Sequence, residues 1–582
     1  MRGKESYALI IVLGLLLGLS GIRWGIPEDG RLRRILPPGL HGPQFHAELI
    51  SAWEDIHRRL GPNLMLNPES FATFSQVQDA PAGWQKPPRF LYNAVRSFHV
   101  RSVHDDEQSV FLALSKMRPR RLDFNPHFFT YGGVYIYGVG AWLGVGALLG
   151  AVDLHSSLLP YLNEPVKMGG MYFWGRLLSV GAYIGCGLML FALGRTFLRR
   201  RAALLAAVLF MLSPAVVVQA HTMKQHSLWT FLSFATLYLC LRVRERGGWR
   251  EYLAAGAVAG LTVGAALNAW PTCLYIAAAA LLRTREKPAR WRTELLRLAA
   301  AAAASVAVFF ATNPYWLLDY AHAYQEFVVL TGYTTANLLS PVRIFTGSFR
   351  HAVTTPVFLL ICAGIAWALT SGRRNQGALL CLCAFFVMLA ASVTSQLTVG
   401  MRQIRYFLPI VGTGALLAAG CADDLLLRFP RWRRTAVAGL ALVVANVGMA
   451  GALYALNFQR TSAPGSNHYR AGDWIAAQVP AGAVIGMLRD PAPSNSAYFP
   501  LYRYGIRLIP PELFGTLEPE RLPDYLVLSV PDYGQRESLE PNLSREFEPA
   551  AEFLRPRLAW SEIQLSATTA NPPIMVYRRK AK

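Results

Sequence analysis

Negative charge is scarce in this sequence: 35 Asp and Glu stand against 57 Lys and Arg, a formal net charge of +22 over 582 residues. In a soluble protein that excess would suggest nucleic acid, but no nucleic-acid motif is present. The positive residues gather instead in short strips between apolar runs, which points to a negatively charged membrane surface or a lipid phosphate. Cysteine is scarce as well. All seven (Cys186, Cys240, Cys273, Cys362, Cys381, Cys383 and Cys421) lie in apolar segments or at their ends, and none lies in the polar stretches 23–172 and 456–582, so no disulfide framework is implied. Cys381-Leu382-Cys383 stands alone and reads as apolar packing, not as a metal site. No internal repeat is visible. The 456–582 stretch also lacks a Gly-rich phosphate loop and a paired Cys/His set, which leaves packing or acceptor recognition as its role.

Apolar sequence, by contrast, is plentiful: 53% of residues are hydrophobic and mean hydropathy is +0.28. Several runs reach the roughly 18–20 residues that a helix needs to cross a bilayer. The first, Tyr7 to Gly21, follows the basic Met1-Arg2-Gly3-Lys4. Ile22-Arg23-Trp24-Gly25 offers no small-residue cleavage site after it, so a retained first helix is expected, not a signal peptide. Spans are expected near 6–22, 173–194, 202–219, 228–241, 252–268, 270–282, 298–313, 353–370, 377–394, 406–422 and 435–455, about eleven in all by the length a crossing needs. With the N-terminus inside, the basic strips 2–4, 195–201, 242–250, 283–297, 373–374 and 428–434 all fall on the cytoplasmic side. They hold 22 Lys or Arg, against five in the short loops opposite (Lys224, Arg343, Arg350, Arg402 and Arg405). That asymmetry orients the chain and puts 23–172 and everything after about 456 outside.

Tyr131 to Val152 is apolar enough to cross, but a crossing there would invert every later loop. It reads as an interfacial helix along the outer leaflet, with Tyr131, Tyr135, Tyr137 and Trp142 at the headgroup boundary. Asn268-Ala269-Trp270-Pro271 breaks the 252–282 pair at an outer turn. In 23–103, rich in Pro, Arg and aromatics, His41 to Leu60 suits an amphipathic helix. Beyond the last span, a helix is expected at Ser466–Gln478 and short buried strands at Ala483–Met487, Tyr525–Val530 and Ile574–Tyr577. The fold class is therefore an all-α polytopic membrane protein with outer-face juxtamembrane helices and a small C-terminal α/β domain. Its parts are a first helix (1–22), an outer loop (23–172), a multi-helix membrane domain (173–455) and an outer domain (456–582).

His104-Asp105-Asp106-Glu107 places three consecutive carboxylates in the outer loop. They are either a solvated acidic turn that caps a helix, or a general base, with or without a divalent metal, that deprotonates an acceptor hydroxyl. Asn125-Pro126-His127-Phe128-Phe129-Thr130-Tyr131 follows. Arg405-Tyr406-Phe407-Leu408-Pro409 stands at the outer mouth of a span, where an arginine is expensive unless paired. It either grips a phosphate or carboxylate or snorkels to the headgroups. His221, Lys224 and His226 form a polar cluster in a short outer loop that either cradles a phosphate or faces water.

Arg23-Trp24-Gly25-Ile26-Pro27, the carboxylate pair ending in Asp-Glu, and Asn125-Pro126…Phe129…Tyr131 together resemble the opening of the GT-C glycosyltransferases. The nearest branch is that of protein O-mannosyltransferases and lipid A aminoarabinose transferases. Gly175-Arg176-Leu177-Leu178-Ser179, the basic turn 199–201, Thr312-Asn313-Pro314, Arg405-Tyr406…Pro409 and Trp474-Ile475…Val479-Pro480-Ala481-Gly482 follow in the same order. Only about 28–100 falls outside the likeness, as an insertion. The resemblance implies inverting transfer of a sugar from a polyprenyl-phosphate donor to an acceptor protein, glycan or lipid, on the outer face of a membrane. A bacterial inner membrane with a periplasmic catalytic face is implied with it. It implies Asp106 as the catalytic carboxylate, with Glu107 as its neighbour and Asp105 as a local substitute, and Arg405 on the lipid phosphate; Lys224, His226 and Tyr406 are this sequence's own candidates to join Arg405 there. His104, Asn125, Tyr131 and His221 are then candidates for the donor or acceptor pocket, and a divalent metal would sit at His104/Asp105/Asp106/Glu107. Two departures stand out: Lys224-Gln225-His226 where many relatives carry an Asp, and Asn125 where the aminoarabinose branch has Lys. A transporter or flippase of a lipid-linked substrate is the alternative, but it usually shows repeats and midplane binding residues. A membrane-anchored interaction protein is a third.

Overall fold

Every expected span falls on a helix. The structure is a computed structural model that describes residues 3–40, 42–60, 76–104, 106–332, 341–371, 375–399, 404–461, 464–529, 536–555 and 570–580, and it is mostly helical. The helices at the expected spans are Gly3–Leu19, Pro165–Gly194, Arg200–Leu212 with Pro214–Ala220, His226–Arg246, Trp249–Ala265, Leu274–Glu286, Trp291–Thr312, Thr355–Ser371, Gln376–Val399, Leu408–Arg428 and Arg433–Thr461. Among the described residues, by length and apolarity alone, five stretches suffice to cross a membrane, or seven with two bent pairs counted as spans. The others are shorter, like the 13-residue Leu274–Glu286, or carry charge, like His226–Arg246.

Burial sorts the long helices into a centre and a rim. The Ile404–Arg428 stretch is 78% buried, whereas Pro288–Thr312 is 11% and Pro430–Thr461 17% buried despite being at least as apolar. Apolar helices with bare flanks are stable only where the solvent is itself apolar, which is how a bilayer stabilises them. Gly256, Gly260 and Gly264 recur every fourth residue on Trp249–Ala265. A Cβ at Gly256 would lie 2.1 Å from the carbonyl oxygen of Ala301, and one at Gly260 2.4 Å from that of Ser305. Glycine is therefore what lets this helix press backbone to backbone on Trp291–Thr312.

Two spans differ from expectation. The run at 202–219 bends by 65° between Leu212 and Pro214, because proline cannot donate to the preceding turn and pushes Ser213 into an extended conformation (ψ 133). The span expected at 353–370 starts at Thr355, and the preceding stretch Ile344–Val353 turns off by 117° at Thr354, whose φ is +85°. The apolar run after Tyr131 is the helix Gly133–Leu148; its 16 residues fall short of a crossing. The Asn268–Pro271 break is a 3₁₀ turn, Leu267–Cys273.

Among the described residues the strands form one sheet of six: β1 Gln78–Ala80, β2 Val484–Met487, β3 Gly505–Leu508, β4 Tyr525–Ser529, β5 Phe547–Phe553 and β6 Ile574–Arg579, in the order β1-β3-β2-β4-β6-β5. β2 runs parallel to β3 and β4, and the remaining pairs are antiparallel. The expected strands are β2, β4 and β6, and the expected helices are Pro43–Leu60 and Asn467–Gln478. β1 comes from the 28–100 stretch and pairs with β3, so the stretches 23–172 and 456–582 are not separate in space. Asp79 of β1 accepts hydrogen bonds from Arg507 of β3 at 2.6 and 3.2 Å. Arg34 of the same stretch pairs with Asp473.

Candidate functional site

The residues around Asp106 owe their positions to a buried ion pair next to it. Glu107 opens the helix Glu107–Lys116 and is fully buried. Arg176, on Pro165–Gly194 and equally buried, donates to it twice, Nε to Oε1 at 2.8 Å and Nη2 to Oε2 at 2.7 Å. Ser102 Oγ donates to Oε2 at 2.6 Å, and the Met223 amide to Oε1 at 2.7 Å. The spare Nη1 of Arg176 donates to the carbonyls of Ile22 and Trp24, at 2.8 and 2.6 Å. One carboxylate–guanidinium pair thus ties together the end of the first helix, the start of the Glu107–Lys116 helix, the long Pro165–Gly194 helix and the 221–226 turn. Burial opposes ionisation of Glu107, but Arg176 outweighs it and holds the carboxyl below its usual range.

Asp106 takes the N-cap position of the same helix, yet its side chain makes no capping bond. Lys224 Nζ donates to its Oδ2, and Arg405 Nη1 reaches the same oxygen at 3.3 Å. His104 Nδ1 accepts the Asp106 amide at 3.2 Å. The Asp106 side chain is 44% exposed while that of Lys224 is 2% exposed, so the carboxylate faces an opening and the ammonium lies behind it. Burial works against the Asp106 charge, but Lys224, His104 and Arg405 outweigh it and hold the group below the usual carboxylate range. An ion pair alone would raise Lys224. Its own burial, with the Arg405 charge, pulls it down instead to about 8.

Around this trio, Tyr131 sets its ring 5.8 Å from Lys224 Nζ, and Arg405 lies 5.4 Å from the Tyr406 ring. His226 packs edge-on against Tyr406 at 5.9 Å. Its Nδ1 accepts from Trp229 Nε1 at 3.1 Å, which leaves the proton on Nε2. Among the described residues, His226 Nε2 and Arg405 Nε are buried N–H groups with no acceptor. Such groups are costly unless an acceptor satisfies them.

The structure therefore brings together His104, Asp106, Tyr131, Lys224, His226, Arg405 and Tyr406. Glu107 is not free for chemistry, since it accepts from Arg176, Ser102 and Met223. His221 is a packing residue. Its ring stacks on Phe458 at 4.3 Å, Nδ1 and Nε2 face the carbonyls of Val217 and Ser20 at 2.7 and 2.8 Å, and burial lowers its pKa to about 4. Asn125 makes its contacts elsewhere, with His127 and Asp319. Asp105 lies outside the described residues. The metal expected at His104/Asp105/Asp106/Glu107 meets a difficulty, because Arg176, Lys224 and Arg405 already supply the positive charge there. Among the described residues, the His/Asp/Glu group close enough to share an ion is a different one, His127, Asp319 and His322.

Arg176 was legible in principle as a site residue, since an arginine inside an apolar run demands a partner just as Arg405 does. Asp319, His322 and Glu326 carried no such signal. Glu326 accepts from the amides of Phe129 and Thr130 at 2.7 and 3.0 Å, a contact across some two hundred positions. A cavity of about 1360 Å³ lies beside the Glu107–Lys116 helix, lined by Gln108, Phe111, Leu112 and Ser115 of that helix and by Trp53, Tyr137, Leu143, Met171 and Tyr315 among others.

Residues 168–316 match the model of the dolichyl-phosphate-mannose-protein mannosyltransferase family. No curated protein sequence matches the chain. Among solved structures, the chain is similar to ArnT from Cupriavidus metallidurans bound to undecaprenyl phosphate, with 14% identity, 83% of this chain and 95% of that one covered, and a TM-score of 0.43. It is also similar to the apo oligosaccharyltransferase of Archaeoglobus fulgidus (13% identity, 80% and 72% covered, TM-score 0.43). The oligosaccharyltransferase AglB of the same organism, in complex with an inhibitory peptide and a dolichol-phosphate, follows at 12% identity, 90% and 75% covered and a TM-score of 0.42.

Proposed function

We propose that this protein is a membrane glycosyltransferase that moves a sugar from a polyprenyl-phosphate donor to an acceptor hydroxyl at the outer face of the membrane. The observation that carries the reading is the sharing of Asp106 Oδ2 by Lys224 and Arg405, with unspent N–H groups on Arg405 and His226 beside it. A carboxylate that could accept a proton thus sits against a nest of cationic donors suited to a phosphate. The mannosyltransferase family model over 168–316 supports it. In this reading the donor phosphate takes over Lys224, Arg405 and His226, and Asp106, relieved of its ion pairs, accepts the proton of the acceptor hydroxyl. That oxygen forms a bond to the anomeric carbon from the face opposite the phosphate. The bond from that carbon to the phosphate oxygen breaks with its electron pair, and inversion follows. Lys224 and Arg405 stabilise the charge that grows on the departing phosphate. The apolar walls of the 1360 Å³ cavity suit an acceptor with an apolar part. A flippase would hold its ligand midway along the helices; here the charged residues gather at helix ends.

The direct test adds a polyprenyl-phosphate sugar to the full chain in proteoliposomes and compares membrane glycans, by mass spectrometry, with those of cells lacking the protein. Identical glycans, together with no binding of undecaprenyl phosphate, would sink the reading. Two quantitative expectations attach to it. Arg405→Ala weakens undecaprenyl-phosphate binding by roughly 10- to 150-fold, the value of about 1.5–3 kcal/mol for a charged hydrogen bond. Equal affinity in the variant removes Arg405 from the site. Lys224 is charged below about 8 and neutral above, so donor affinity is full at lower pH and falls as pH rises through that value. The fall is expected to vanish in Lys224→Met, and a pH profile unchanged by that substitution argues against the lysine's role.

A further inference from the structure

The second cluster of ligating side chains joins two loops far apart in sequence. Asp123 Oδ1 accepts the Asn125 amide at 3.1 Å and Asn125 Oδ1 accepts the His127 amide at 3.0 Å, a tight polar turn. Within it His127 takes φ +44°, a left-handed conformation that a side chain with a Cβ rarely adopts. That turn aims the imidazole at the other loop: His127 Nδ1 lies 3.3 Å from Asp319 Oδ2. Asp319 stands just before the helix Tyr320–Gly332, and His322, three residues on, shares its face, with Nδ1 2.6 Å from Asp319 Oδ1. The two imidazoles lie 5.9 Å apart at 85°.

We propose that His127, Asp319 and His322 form a zinc-type divalent cation site that clips the 123–131 loop to the 315–326 segment. The donor atoms all lie within 4.8 Å of one another. Ligands at about 2.0–2.1 Å around a tetrahedral ion stand roughly 3.3 Å apart, so small side-chain rotations suffice to close the site. Two imidazoles and one carboxylate select zinc and its transition-metal neighbours over magnesium or calcium. The outer shell is in place as well, since Asn125 Nδ2 donates to Asp319 Oδ2 at 2.6 Å and orients the carboxylate. The side chains of His127, Asp319 and His322 are 36%, 16% and 42% exposed, which admits an ion and leaves its fourth position to solvent. The same seam is already aligned by Phe124 N to the Tyr315 hydroxyl at 3.0 Å and by Glu326 on Phe129 and Thr130. The clipped loop ends at Tyr131, whose ring packs by Lys224, so the ion is a positioning element for the candidate site and not one of its reacting groups.

The test uses the full chain in detergent, stripped with EDTA and dialysed against zinc. Elemental analysis is expected to find a single zinc equivalent retained, with a zinc-dependent rise in Tm. His127→Ala/His322→Ala is expected to retain none and to show no zinc response, while melting like the stripped parent, which establishes that it folds. Asn125→Ala is expected to weaken zinc binding roughly 10- to 100-fold. Cobalt substitution reads the geometry independently, through the intense visible bands of a four-coordinate ion. No zinc retained by the parent, or zinc retained equally by the double variant, overturns the proposal.

Discussion

Asp106→Asn is expected to lower glycosyl transfer by roughly 10²–10⁴-fold, the usual contribution of a positioned general base, while the protein still folds and still binds lipid phosphate. The separation of the two effects follows from the geometry. The Asp106 side chain is 44% exposed and caps nothing, so its amide analogue removes no packing. What it does remove is the anion that competes for Lys224 and Arg405. Undecaprenyl phosphate is therefore expected to bind the variant as tightly as the parent, or more tightly. Measuring transfer and lipid-phosphate affinity side by side separates a base from a binding residue. Full transfer in Asp106→Asn removes the base, and lost transfer with lost affinity would make Asp106 a binding residue instead.

Arg176→Met and Glu107→Gln are expected to act in the opposite way, by damaging the fold. Each leaves a fully buried charge without its partner, a change that typically costs about 3–5 kcal/mol. The effect spreads because the pair also holds Ser102, Met223, Ile22 and Trp24. Both variants are expected to lower Tm by several degrees and to reduce yield. The double variant Glu107→Leu/Arg176→Met, which removes both charges, is expected to recover part of that loss. A Glu107→Gln protein that melts like the parent but has no transfer would move the base from Asp106 to Glu107.

The contrast between these two neighbours marks the limit of what the residues disclose in one dimension. The acidic run 104–107 was visible as a site, but nothing in its order separates the carboxylate facing an opening from the one spent on a buried arginine. That division depends on Arg176 and Met223, brought there by the Pro165–Gly194 helix and by the turn beyond the Ser213–Pro214 bend. His221, His226 and Lys224 looked alike as polar members of one short loop. Packing against Phe458 made the first a structural residue, while Tyr406 and Asp106 drew the other two toward the candidate site. The strands missed were β1, β3 and β5. They are three, four and seven residues long, too short or too irregular to stand out by alternation, and β1 is held in place by Arg507 of β3.

The sequence alone determined the helices of the membrane domain and their separation by basic strips. Long apolar runs without a competing pattern have one way to satisfy their backbone in a bilayer, and that requirement is local. It also marked Arg405, because charge beside such runs is expensive enough to be conspicuous, and it offered the acidic run 104–107 and the polar loop with Lys224 as candidates. Only the tertiary structure decided that Asp106, Lys224 and Arg405 meet at one oxygen atom, that Glu107 is a strut, that the 28–100 stretch adds a strand to the sheet, and that His127, Asp319 and His322 converge. Each of those is a contact between residues that chain order places far apart. Such contacts are set by how helices bend and pack, not by what any one segment prefers.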